Sequence, residues 1–120
     1  MNSNHAAEKS YLLEQLAENL IYFGFSISFK KLYGIEIIFS TSEAVSAPGV
    51  YFLPFDPVTT NAGNFLKLLT EMANFPFATE VVVAGIGEQQ IIENIMKRQE
   101  IQGIEVSRME QLKNYPLRLV

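Results

Sequence analysis

Apolar positions along this chain change their spacing several times, and each change marks an element. From Ala7 they recur at helical intervals. Leu12, Leu16, Leu20 and Phe23 form one stripe, Leu13, Ala17 and Ile21 widen it, and Glu14, Gln15, Glu18 and Asn19 take the other side. So broad a stripe predicts a helix covered on more than one face, with Gly24 as its stop. Residues 1–6 are polar and read as a disordered tail ahead of one domain over 7–120. At Phe25 the period falls to two: Phe25, Ile27 and Phe29 alternate with Ser26 and Ser28, which predicts a half-buried strand. Residues 30–34 read as a five-residue connection to a second strand at 35–39, giving a hairpin. A helix continuing through Leu32 is the competing reading of that segment.

Residues 41–49 are rich in Ser, Ala and Pro and read as a loop. Residues 50–55 form a buried strand, ended by Asp56 and Pro57. Thr59, Thr60 and Asn61 each offer an N-cap for a helix to about Asn74, with Phe65, Leu69, Met72 and Ala73 inward and Pro76 beyond its end. A strand at 80–84, the turn Gly85-Ile86-Gly87, a helix at 88–99 and a strand at 103–106 follow. In that helix Ile91, Ile92, Ile95 and Met96 make the buried stripe, and Glu93 and Lys97 form an i,i+4 pair. A short helix near 109–114 and a strand at 117–120 complete the chain. The expectation is one compact α/β or α+β domain. Its mixed, partly parallel sheet has five or six strands, flanked by three or four helices and including a C-terminal βαβ unit.

Composition adds a leaning toward contact. At 120 residues the chain supports one core. It is 48% apolar but only 18% charged, below the ~25% charge of ordinary globular domains, which suggests surface covered by another protein or a second copy. Net charge is −4, and the only adjacent cations are Lys30 with Lys31 and Lys97 with Arg98. Phosphate backbones need clustered Lys and Arg, so nucleic acid is a disfavoured partner. Cysteine is absent, which removes disulfides, thiol nucleophiles and thiolate metal sites together. No apolar run reaches the ~18 residues of a spanning helix, and the first residues do not read as a signal peptide, so no membrane association and a cytoplasmic setting are expected.

The glycine turn is the first candidate for chemistry. Gly85 and Gly87 follow an apolar strand and open a helix, and Glu105 lies twenty residues after Gly85. This resembles half of a dinucleotide-binding fingerprint, which implies glycines that admit a pyrophosphate and an acid that holds the ribose. Gln90 stands at the third glycine position, Glu88 puts a carboxylate where a phosphate would sit, and a single strand remains after Glu105. Asp56, the only aspartate, ends a strand as the phosphoacceptor of response-regulator receiver domains does. The acidic pair and later lysine of those domains have no counterpart here: Ser40, Thr41 and Ser42 stand at the strand end, and no lysine follows directly after Val83. A turn or cap role before Pro57 is the plainer reading of Asp56.

His5, the single histidine, falls in the tail and cannot build a metal site alone. Ser40, Thr41, Ser42, Ser46, Thr59 and Thr60 lack a histidine to activate them and read as loop and cap residues. Most of the twelve glutamates sit on polar helix faces; Glu36, inside an apolar strand, reads as a solvent-facing or edge position. The aromatic load, nine Phe and five Tyr, exceeds what these motifs explain. Phe25, Phe29, Tyr51 and Phe55 are the candidate interface residues. These observations point to binding rather than catalysis, with no cofactor and no metal. The expected function is a protein-interaction or assembly module, a homodimer or an accessory subunit. The alternative is a small-ligand or nucleotide-binding protein using Asp56, Gly85, Gly87 and Glu105.

Overall fold

In the computed structural model the described residues are 3–41 and 49–114, with side chains described over 12–41 and 49–112. Helix α1, Ser3–Tyr22, is assigned from ahead of Ala7. Its end is a Schellman turn: Phe25 N–H donates to the Leu20 carbonyl and Gly24 N–H to that of Ile21. Gly24 sits at φ +91°, where only glycine is unstrained, so the expected stop is the actual one.

Strands β1 (Ser26–Leu32) and β2 (Ile35–Thr41) pair antiparallel, which excludes the continuous-helix reading. The connection is shorter than the five residues expected. Lys30, Lys31 and Leu32 remain in the strand, and only Tyr33 and Gly34 turn, at φ +53° and +75°. Two consecutive positive φ values are the two-residue geometry that matches strand twist. Strand β3 (Val50–Pro54) pairs antiparallel with β2 and parallel with β4 (Ala78–Val83), which pairs parallel with β5 (Ile104–Arg108). The sheet order is β1-β2-β3-β4-β5. Helix α2 (Ala62–Met72) lies between β3 and β4 in the chain, and α3 (Ile86–Arg98) between β4 and β5. A 3₁₀ turn at Met109–Asn114 follows β5, and the strand expected at 117–120 lies outside the described residues. The result is a single α+β domain with a five-stranded mixed sheet and three α-helices.

Strand residues alternate between two cores, which therefore lie on opposite faces of the sheet. Ile35, Ile37, Leu53, Phe55, Val81, Val83 and Ile104 pack with Phe65, Leu68, Leu69 and Met72 of α2 and Ile92 and Met96 of α3. Ile38, Val50, Phe52 and Val82 pack with Leu13, Leu16, Ala17 and Leu20 of α1, with Phe25 and with Leu112. Both faces of β3 are thus covered within the chain. Three inward assignments change: Ala73, Ile91 and Ile21 are exposed, because each helix meets the sheet along one narrow stripe. No helix among the described residues is long and apolar enough to cross a membrane.

Candidate functional site

The first candidate is a cavity of about 240 Å³ at the end of β3, where β2 begins and α2 starts. Its lining includes Leu12 and Leu13 of α1, the turn Tyr33 and Gly34, Glu36 of β2, and Pro54, Asp56, Thr59, Thr60, Asn61 and Asn64. Local chain chemistry builds its rim. The Asp56 Oδ1 accepts from Val58 N–H at 2.9 Å, an Asx turn, and the Asp56 carbonyl accepts from Thr60 N–H at 2.8 Å. The Thr60 hydroxyl accepts from Asp56 N–H at 3.1 Å. Asn61 is the N-cap of α2, its side chain accepting from Asn64 N–H at 2.9 Å. Asp56 is therefore a turn residue, and it is also a cavity wall.

Two groups on this cavity have unmet hydrogen-bonding capacity. The Glu36 carboxylate makes no hydrogen bond or ion pair among the described residues, although Lys31 stands opposite it in the β1–β2 register. The hydroxyl oxygen of Thr59 is shut off from solvent and has no partner among the described residues. Tyr33 closes one side. Its phenol donates to Glu71 of α2, and that hydrogen bond, reinforced by the carboxylate's charge, raises the phenol pKa. At φ +53° Tyr33 holds a left-handed position that is uncommon for a bulky residue.

The other expected ligand residues lie elsewhere. Gly85 is the N-cap of α3 and Gly87 belongs to its first turn. Gly85 is extended at φ −147°, so its backbone does not demand glycine. A Cβ there would stand 3.1 Å from the Glu88 carboxylate, which lies over the helix start that a phosphate would need. Glu105 is exposed and stands level with Glu80 in the β4–β5 register, five residues before Gly85, or about 16 Å at ~3.3 Å per residue. Asp56 and Glu36 line the cavity together, whereas Gly85, Gly87 and Glu105 are not part of its lining.

The candidate interface residues divide as well. Phe25 and Phe55 are buried, one in each core. Tyr51 is half-buried in an aromatic cluster with Phe39, Phe75 and Phe77, ring centroids 4.6–6.0 Å apart. Phe29 alone of the four is open, at 59% exposure. It lies at the middle of β1, which pairs only with β2 among the described residues.

A buried carboxylate escaped the sequence reading. Glu80 is 2% exposed on β4, on the α1 side of the sheet between Phe52 and Glu105, and the Ser107 hydroxyl donates to it. Its place one residue before Val81 makes it resemble the polar lip of a strand. The available signal is its alternation with Val82, which predicts a shared face. Among the described residues no group of three or more acidic, His or Cys side chains gathers to hold a metal ion. No protein-family model, curated protein or solved structure matches the chain.

Proposed function

We propose that this chain is a non-catalytic protein-interaction module that assembles through the edge of β1 left unpaired among the described residues, with a second copy of itself as the partner. The observation that carries the reading is the seven-residue edge strand with its exposed aromatic at the midpoint. An open edge is a template for another strand. Antiparallel pairing of two copies about Phe29 places Phe29 opposite Phe29, Ser28 opposite Lys30, and Ile27 opposite Lys31. No lysine then opposes a lysine. Moving the centre of the pairing to Lys30 or Lys31 sets that lysine against its copy in the partner, which is unfavourable. The charges that blunt promiscuous pairing thereby disfavour symmetric registers centred beyond Phe29 toward Leu32.

The ends of β1 add apolar area. Ile21 and Tyr22 precede the strand and Tyr33 follows it, all exposed, and antiparallel pairing sets the start of one strand beside the end of the other. A strand pair alone falls short of the ~1,000 Å² expected of a specific interface, so these flanks are part of the proposal. Light scattering tests it. The wild-type chain is expected at twice the mass of one chain, and Phe29→Glu at the monomer mass with an unchanged circular dichroism spectrum. A wild-type monomer at NMR concentrations overturns the self-pairing.

A further inference from the structure

We propose that the cavity at the end of β3 binds a small primary amine, with its ammonium group held by Glu36 and Asp56. The inference is independent of the β1 edge and follows from what the cavity lacks. Carboxylates only accept hydrogen bonds when ionised, and two of them line this space. Glu36 has no partner among the described residues, and Asp56 commits Oδ1 to the Val58 N–H. The nearby backbone donors are already used: Thr60 N–H serves the Asp56 carbonyl and Asn64 N–H serves the Asn61 side chain. The missing element is therefore a donor, and the charge it must carry is positive.

The remaining walls set the rest of the ligand. Leu12, Leu13 and Pro54 offer an apolar side suited to an alkyl chain. A volume of about 240 Å³ lies just below the ~300–1,000 Å³ of drug-sized pockets, which limits the occupant to a small metabolite. Thr59, also on the lining, adds a hydroxyl without a partner among the described residues. A divalent cation fits less well. It needs about six oxygen ligands and favours several carboxylates, and no group of three or more Asp, Glu, His or Cys side chains gathers among the described residues.

The test is a titration of the ¹⁵N-labelled full chain, read by amide chemical shifts. The probes are n-butylammonium chloride, n-butanol as its uncharged counterpart, and calcium chloride. Saturable shifts at Gly34, Glu36, Asn61 and Asn64 are expected with the ammonium alone. Glu36→Gln and Asp56→Asn should each weaken that binding by roughly tenfold or more, as expected when one partner of a charged contact is neutralised. Asparagine at 56 keeps the oxygen that holds Val58, so the turn survives that change. No saturable shift with butylammonium overturns the proposal. So does an equal response to butanol, saturation by calcium at lower concentration, or a folded Glu36→Gln variant that titrates like wild type.

Discussion

Strands β1 and β4 belong to one sheet and share almost no physics. Strand β4 has a neighbour on each side, and from Thr79 to Val83 every residue is buried. Strand β1 has one neighbour among the described residues, and none of its seven residues is fully buried. Sequence follows position. Residues 81–83 are three consecutive valines, the unbroken apolar run of a strand covered on both faces. Strand β1 mixes serine, lysine and single apolar residues, the composition of an edge that must not pair at random. The lesson is that the central strand holds the fold and the edge strand is free to serve contact.

Substitutions should separate those roles. The largest loss is expected in the centre: Phe52→Ala, beside Glu80 in register and fully buried against the α1 layer, should cost about 3–5 kcal/mol in urea unfolding. A cost under about 1 kcal/mol would mean that the α1 core is loosely packed. Ser107→Ala removes a donor to the buried Glu80 and should cost about 1–3 kcal/mol by the same measurement. At the edge, Phe29→Glu should change monomer stability by no more than about 0.5 kcal/mol while abolishing the dimer. A large stability loss there would move Phe29 into the core and erase the contrast.

The smallest effect lies at the turn that ends β1. Hydrogen bonding to Glu71 raises the Tyr33 pKa in the folded chain, so the neutral phenol is the form the fold favours. That contribution is complete below the ordinary tyrosine pKa of ~10 and is lost as pH rises through the raised folded value. Ultraviolet absorbance should show a late-ionising component that Tyr33→Phe diminishes by one tyrosine. A late component unchanged by the substitution would place the tie between β1 and α2 elsewhere.

Legibility was uneven for stated reasons. The Gly24 stop, the 25–39 hairpin and the strand at 50–54 were readable because each rests on residues next to one another in the chain. The hairpin turn was misjudged because Tyr33 occupies a left-handed position that sequence statistics reserve for Gly, Asn or Asp. Ile91 was assigned inward because its neighbours at helical spacing are apolar, yet the sheet lies under Ile92 and Met96. Asp56 could be singled out as the sole aspartate at a strand end. Its association with Glu36 could not, since twenty residues and a strand pairing separate them.

The chain by itself determined the local periods, the stops and the single-domain scale, because these depend on neighbouring side chains and backbone preferences. It also carried the low charge and high apolar fraction. Tertiary structure alone decided which strand became the edge, which of four aromatic candidates stayed open, and which carboxylate was buried. It also placed Glu36 and Asp56 on one cavity. Those outcomes depend on sheet order and register, which arise from the joint burial of residues far apart in the chain, and no local pattern encodes that sum.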